Sequence, residues 1–313
     1  MPRQRIPDEV LSLAHARSAA RAARDWPEAD RLRAEIEAAG WNVVDRGTDF
    51  ALAPATPPTV ETDGIVRYGS SAAVPSRLDE PAIGVATVLI VATDWPADVA
   101  RAAAGVRAHA PNGVSVVVVA DGPSPDQDAA LSDLDGSVEL VRTSERLGTG
   151  AAWAIGLRRS VAPIVIVLDG SIEPTGDIVT PLVGVLGDPA VGVAGGFGLV
   201  SDDLRRFEEV TTGDATAIEG YVLAFRRADG AVRGPIDERF RFYRNLDIWW
   251  SLVLRDEGED TPPRRAVTVG LPAIRHEHRG WTALPEGERD RLSKRNFYRI
   301  IDRFGARRDL ARG

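Results

Sequence analysis

Ile164-Val165-Ile166-Val167-Leu168-Asp169-Gly170-Ser171-Ile172-Glu173 is the stretch that decides the fold. Consecutive apolar, mostly β-branched residues suit a strand buried on both faces, and such strands belong to parallel sheets covered by helices. The run then stops on a carboxylate, a glycine and a hydroxyl. In an open α/β sheet ligands gather outside the carboxyl ends of the strands, so Asp169 stands where chemistry is expected. Working outward, similar runs recur at 86–92, 114–120, 138–141 and 191–194, with helical stretches at 97–109, 126–134, 150–160 and 177–186. The alternation from 85 to about 198 predicts a Rossmann-like, mostly parallel sheet. Beyond it the order loosens to a strand over 217–225, a helix over 246–257, a strand over 266–269 and a final helix over 288–304.

Ahead of the sheet, residues 7–40 are rich in Ala, Arg and Glu, with Ala29, Leu32, Ile36 and Ala39 at helical spacing. A helical hairpin is expected. Trp26-Pro27 interrupts it, because a residue before proline is pushed out of the α region. Residues 41–45 and 50–52 read as a strand pair around Arg46-Gly47. Residues 53–84 are rich in Pro, Thr, Ser and Gly without a sustained period and read as a linker. The expected organisation is a hairpin module over 1–52, the linker over 53–84 and an α/β domain over 85–313.

Composition narrows the functions. The 313 residues include 38 basic and 46 acidic side chains, a net charge of −8, so no global positive field favours nucleic acid or an anionic membrane. The absence of cysteine excludes disulfides, thiolate metal sites and a cysteine nucleophile. No run approaches the roughly 18 apolar residues of a membrane span, so a cytoplasmic location is the expectation. Neither a Gly-x-Gly-x-x-Gly turn after the first strand nor a P-loop is present, which weakens dehydrogenase and P-loop readings.

Polar residues collect at the strand ends. They are Thr93-Asp94, Asp121-Gly122, the stretch 142–146, and Asp169 through Glu173. A carboxylate set directly after a buried strand has a rigid backbone behind it and suits a base, a ribose or a hard cation. Leu147-Gly148-Thr149-Gly150 opens a helix with glycines that permit a phosphate or sugar to approach the backbone.

Taken in order, Val-Leu-Ile-Val-Ala-Thr (88–93), Val-Val-Val-Val-Ala-Asp-Gly (116–122), Leu-Gly-Thr-Gly-Ala-Ala-Trp-Ala-Ile-Gly (147–156), Val-Leu-Asp-Gly-Ser-Ile-Glu-Pro (167–174) and Ile-Asp-Glu-Arg-Phe (236–240) resemble family 2 glycosyltransferases of GT-A fold. The resemblance spans 85 to about 281. It implies an α/β fold of GT-A type, transfer of a sugar from a UDP- or GDP-linked donor to an acceptor hydroxyl with inversion, and assistance by Mg²⁺ or Mn²⁺. Carried over, Thr93 and Asp94 line the nucleotide pocket, Asp121 hydrogen-bonds the base or ribose, and Asp169 matches the first acid of the family's Asp-x-Asp metal motif, with Gly148 beside them at the helix start. Ser171 stands at the motif's second acid, and His276 or His278 would complete the metal shell. Asp247 falls on the family's base by counting back from Arg255 and Gly258; counting forward from 236–240 leaves Asn245 as the alternative, and Leu246 replaces the usual Glu. Glu219, Tyr221, Trp249 and Trp250 are the acceptor contacts this reading names. Ser171 and Leu246 also motivate an alternative, a weak or inactive glycosyltransferase-like binding or scaffold protein.

Residues 7–52 have a resemblance of their own, on Ala22-Ala23-Arg24-Asp25-Trp26-Pro27-Glu28-Ala29-Asp30-Arg31-Leu32-Arg33 followed by Gly40-Trp41 and Val44-Asp45, to the C-terminal helical module of cysteinyl-tRNA synthetases. Eight arginines against nine acids over 1–50 give RNA no support from charge, so no nucleic acid partner is expected. Protein docking or self-association through 1–52 fits equally well. Residues 286–312 hold nine basic side chains against five acids, either a solvated helix face or a surface for an anionic acceptor, a phospholipid or a partner.

Overall fold

In the computed structural model, residues 6–46, 49–92, 94–134, 136 and 138–311 are described, and they fall into two compact units, 1–58 and 59–313. The first unit holds helices α1 (Asp8–Ala22) and α2 (Trp26–Ala38) and strands β1 (Trp41–Arg46) and β2 (Asp49–Pro54), which pair antiparallel. Asp25 caps α2 by accepting the Glu28 N–H at 3.2 Å, with Pro27 in the first turn where its missing N–H costs nothing. Val10, Ala14, Ile36, Trp41 and Val43 form the unit's core, and Arg17 ties helix to strand through Asp45 at 2.8 Å.

The second unit opens with β3 (Val60–Thr62), β4 (Ile65–Tyr68) and a 3₁₀ turn (Ser71–Ala73), then β5 (Ala86–Ala92), α3 (Pro96–His109), β6 (Val114–Ala120), α4 (Pro125–Ser132), β7 (Glu139–Thr143), α5 (Thr149–Arg159), β8 (Ile164–Leu168), β9 (Ile172–Pro174), α6 (Val179–Leu186) and β10 (Val191–Gly195). It continues with β11 (Gly198–Val200), β12 (Glu208–Val210), β13 (Gly213–Ala215), β14 (Ala217–Ile218), β15 (Val222–Arg226), α7 (Arg227–Arg233), α8 (Leu246–Arg255), β16 (Arg265–Thr268), β17 (Ala273–Arg275), α9 (Arg279–Thr282), α10 (Glu286–Phe304) and α11 (Arg308–Ala311). Ten strands form the main sheet in the order β13-β16-β10-β15-β8-β5-β6-β7-β4-β3. Its centre, β8-β5-β6-β7, is parallel, and β15 runs antiparallel between β8 and β10.

The central strands are apolar without alternation because both faces are covered. Val88, Ile90, Val116, Val118, Ile166 and Leu168 enter one core, while Leu89, Val117, Val119, Val165 and Val167 enter the other. Helix α5 lies so close to the second face that a Cβ on Gly156 would stand 2.1 Å from a methyl of Leu89. Behind the sheet, Arg255 is buried and donates to the carbonyls of Thr216, Arg264 and Leu310, holding α8, β16 and α11 together.

Residues 53–84 do not form the expected linker. Asp63 and Gly64 both take positive φ, 53° and 75°, and close β3 and β4 into a tight hairpin. β4 joins β7 in parallel through Arg67 and Tyr68. Val74 is buried in the core, and the following segment is strapped down where Arg77 N donates to Arg158 O and Ile83 N to Val161 O, each at 2.8 Å. The expected strand over 217–225 is also broken. β14 and β15 are separated by Glu219-Gly220-Tyr221, which turns out of the sheet.

Candidate active site

A cavity of about 280 Å³ opens at the carboxyl ends of β5, β6 and β8, where the sequence placed the chemistry. Its wall includes Asp94, Asp121, Gly148, Asp169, Glu219, Tyr221, Asp247 and His278, so eight of the residues singled out in the sequence converge on one space. Thr93 lies outside the described residues.

At one end Asp121 follows β6 and is buried. Its Oδ1 accepts the Leu147 N–H at 2.7 Å and the Thr143 hydroxyl at 3.1 Å, and its Oδ2 accepts the Gly148 N–H at 2.8 Å. The carboxylate therefore fastens the loop that opens α5 across the end of β6. Gly148 takes φ +102°, and a Cβ there would lie 2.6 Å from Arg241 Cα, so this position requires glycine on two counts. Asp94 pairs with Arg146, and both line the cavity.

In the middle, Asp169 is held from three sides. Its N–H donates to Tyr221 O at 3.0 Å, and its Oδ1 accepts the Ser171 N–H at 2.8 Å and the Ser171 hydroxyl. Its Oδ2 faces His278 Nε2 at 3.4 Å. Burial alone would raise the Asp169 pKa, but the His278 imidazole and the Ser171 donors outweigh it and hold the carboxyl below its usual range. The reciprocal contact raises His278 against the lowering effect of its own burial. Tyr243 stacks on the His278 ring at 4.4 Å and 25°, and Tyr221 meets it edge-on at 6.3 Å.

At the far end, Asp247 sits in the first turn of α8. Its Oδ2 accepts the Gly220 N–H at 2.8 Å and its Oδ1 the Ile248 N–H at 2.9 Å, which pins the 219–221 turn to the helix. Burial pushes Asp247 above the usual carboxylate range despite those donors. Glu219 is pushed up to about 7, first by burial and then by the charge of Asp247.

Four of the named residues do not face the cavity. Ser171 is buried and turns its hydroxyl to Asp169 Oδ1, so it orients that carboxylate instead of offering a free oxygen. His276 does not share a strand face with His278, because β17 ends at Arg275. Its Nε2 pairs with Glu173 Oε2 at 2.7 Å, while His278 accepts the Trp281 N–H on Nδ1 and caps α9. Trp249 and Trp250 are both core residues: α8 is buried all round, Trp250 packs on Phe225 at 5.6 Å, and Trp249 packs on Phe240 under the guanidinium of Arg303. Asn245, the alternative to Asp247, is the left-handed N-cap of α8 and directs its amide to Ser293 O at 3.0 Å. The sequence reading missed Trp95, Trp153 and the run Arg241-Phe242-Tyr243-Arg244, all on the cavity wall. The run lies in a loop with no periodicity, and its pair of aromatics flanked by arginines was its signal.

Two donors suit a divalent cation here: Asp169 Oδ2 and His278 Nε2 face each other on the cavity wall. No cluster of three or more such side chains exists among the described residues, so a cation there would need further ligands from outside the protein, as hard cations commonly take from water or bound oxygens.

Residues 87–249 match the model of Glycosyl transferase family 2, and residues 3–50 match that of the Cysteinyl-tRNA ligase anticodon binding domain. A cysteine–tRNA ligase of Opitutus terrae is 48% identical over 54 residues, 17% of this chain and 12% of that protein. Among solved structures, GalNAc-T7 with UDP, GalNAc and Mn²⁺ superposes with a TM-score of 0.55 at 17% identity, covering 72% of this chain and 49% of that one. The mannosyltransferase PcManGT from Pyrobaculum calidifontis, in complex with GDP-Man and Mn²⁺, superposes with a TM-score of 0.52 at 19% identity, covering 76% and 71%. The fold is GT-A, and this chain spans about half the length of the GalNAc-T7 chain. No helix among the described residues is long and apolar enough to cross a membrane.

Proposed function

This chain belongs to glycosyl transferase family 2, and on that premise we propose that it moves a sugar from a UDP- or GDP-linked donor to an acceptor hydroxyl with inversion at the anomeric carbon. The observation that carries the reading is the meeting of Asp169, His278 and Asp247 on one cavity wall above the central parallel strands.

Asp121 acts through the Gly148 loop: by saturating its carboxylate with backbone N–H groups it shapes the wall against which the nucleoside packs. Asp94 and Arg146 border the same end. Asp169 Oδ2 and His278 Nε2 would hold Mg²⁺ or Mn²⁺, which when bound supplies positive charge against the diphosphate. Asp247 takes the acceptor hydroxyl's proton as that oxygen forms its bond to the anomeric carbon; the bond from that carbon to the diphosphate oxygen breaks, and the nucleoside diphosphate leaves with the electron pair. Each Asp247 oxygen carries one N–H donor and keeps a lone pair for this, and its raised pKa strengthens it as a base.

Glu219 is a second candidate for the proton, because it lines the cavity beside Asp247 and titrates near neutrality. Donor hydrolysis or transfer measured against pH in Asp247→Asn and Glu219→Gln separates the two. Loss of turnover in the first, with a shifted acid limb in the second, assigns the base to Asp247. A thermal-shift panel of nucleotide sugars with and without Mn²⁺ tests the function itself. A cation-dependent shift with one donor class supports it, and no shift with any donor favours the scaffold alternative.

A further inference from the structure

Helix α3 carries charged side chains that the chemistry above does not use. Asp98, Arg101 and Gly105 recur at helical spacing and share one face of the helix. That face meets the segment that follows β8. A Cβ on Gly105 would stand 2.7 Å from Pro174 O, so β9 runs against the helix with no room for a side chain at that point.

On this face Asp98 is buried, and Arg101 Nη2 meets its Oδ1 at 3.0 Å. The same nitrogen donates to Gly170 O at 3.3 Å, and Arg101 Nε lies 3.8 Å from Glu173 Oε2. The other oxygen of Asp98 faces Arg279 Nε at 3.7 Å. Glu173 in turn pairs with His276 at 2.7 Å. Gly170 is the residue after Asp169 and Arg279 the residue after His278, so one ion pair on α3 holds the chain neighbours of both proposed cation donors. The two segments also lie side by side: β9 pairs with β17, and the His276 N–H donates to Ser171 O at 2.8 Å.

A buried carboxylate is costly, and well-packed apolar residues often serve stability as well as a buried ion pair does. What the pair adds is direction. A guanidinium fork fixes its distance to several oxygens at once, which apolar contacts do not. Neither Asp98 nor Arg101 lines the cavity, so any effect on the chemistry passes through the segments they hold.

We propose that Asp98 and Arg101 are positioning residues for the cation site: from α3 they set the approach of Asp169 Oδ2 to His278 Nε2, and with it how strongly a divalent cation and a nucleoside diphosphate bind together. This rests on the glycosyl-transfer reading of the cavity. Groups standing behind metal-binding side chains typically govern metal affinity by about 10–100-fold.

The full chain and its Arg101→Met, Asp98→Asn and Arg101→Lys variants are titrated with UDP and with GDP by calorimetry, with and without Mn²⁺. The unmodified chain should bind one nucleotide more tightly when Mn²⁺ is present. In Arg101→Met and Asp98→Asn that cation-dependent gain should fall by about tenfold, while affinity without Mn²⁺ stays within about twofold. Arg101→Lys keeps the charge without the fork and should recover part of the gain. Nitrogen modulation of the Mn²⁺ electron-spin echo reads His278 as a ligand in the same samples; it should weaken in the first two variants and return in part with lysine. A merely structural role would lower the melting temperatures and leave both the gain and the echo unchanged, and that result overturns the proposal. An equal loss of affinity with and without Mn²⁺ also overturns it, because the defect then lies in the nucleotide pocket. Should Arg101→Met fail to fold, Asp98→Asn and Arg101→Lys decide by the same two readouts. If the unmodified chain shows no cation-dependent gain with either nucleotide, the cation site of the glycosyl-transfer reading fails and this proposal falls with it.

Discussion

His278 Nε2 faces Asp169 Oδ2 at 3.4 Å while the other ring nitrogen of His278 accepts the Trp281 N–H at 3.1 Å. That pattern assigns the neutral ring's proton to Nε2, pointing at the carboxylate. The start of α9 is thereby latched to the end of β8. The Trp281 N–H also reaches His278 O at 2.9 Å, so the ring can release it without stranding a donor.

Because, among the described residues, the proposed cation site offers the two donors Asp169 Oδ2 and His278 Nε2, Mn²⁺ alone should raise the melting temperature little. Mn²⁺ with a nucleoside diphosphate should raise it by more than the two separate shifts combined. Asp169→Ala should remove the cooperative part and weaken cation-dependent nucleotide binding by about tenfold or more, and should also lower the apo melting temperature because Ser171 and His278 lose their shared acceptor. Calorimetry with and without Mn²⁺ reads this directly; equal nucleotide affinity in parent and variant would remove Asp169 from the site.

Glu219 gives a pH signature. Its folded pKa of about 7 lies above the ordinary 4.5, so the unfolded chain releases this proton earlier. Stability from this group is fully present below about pH 4.5 and declines as pH rises through 7. Glu219→Gln should therefore gain stability over the parent on going from pH 5 to pH 8, by on the order of 1–3 kcal/mol. Urea denaturation at both pH values checks it, and a difference independent of pH would refute it.

Asp121→Asn puts an amide NH₂ opposite one of the N–H groups that now meet a carboxylate oxygen. A cost of about 1–3 kcal/mol in unfolding free energy is expected, together with weaker nucleotide binding as the Gly148 loop loosens. Denaturation and nucleotide titration should move together; a destabilised variant with unchanged nucleotide affinity would detach this loop from the nucleoside.

Gly148→Ala meets both a positive φ and the backbone of Arg241. The substitution should cost on the order of 2–4 kcal/mol and distort the wall shared by Gly148 and Arg241. A variant as stable as the parent would show that the loop relaxes freely.

Much of this is legible in the sequence. Strands 86–92, 114–120 and 164–168 could be delimited because both faces of the sheet are covered and the apolar runs end where the strands end. The strand-end carboxylates followed from topology alone. Other features turned on tertiary context. Thr62-Asp63-Gly64-Ile65 carried a hairpin signal, but the prolines and threonines around it read as linker, and only pairing with β7 makes β4 part of the sheet. His276 and His278 stand two apart, a spacing that would put them on one face of a strand, but the chain leaves the strand between Arg275 and His276. Trp249 and Trp250 read as acceptor contacts; α8 is enclosed by the sheet on one side and α10 on the other, so both are covered. The cavity residues 241–244 belong to a loop whose course is set by Asn296, more than fifty residues later.

The β3–β4 hairpin has a consequence for the molecule among its own copies. A ten-stranded sheet ending on a long apolar strand would offer a row of free backbone groups to any neighbour. Here the outermost rung is three residues long, Val60-Glu61-Thr62, exposed and with an acid at its centre, and Pro57-Pro58 precede it without an N–H to donate. The opposite rung, β13, is equally short and places Asp214 at its centre. Both borders of the sheet are poor templates, so crowding this protein should not drive it to polymerise by strand addition.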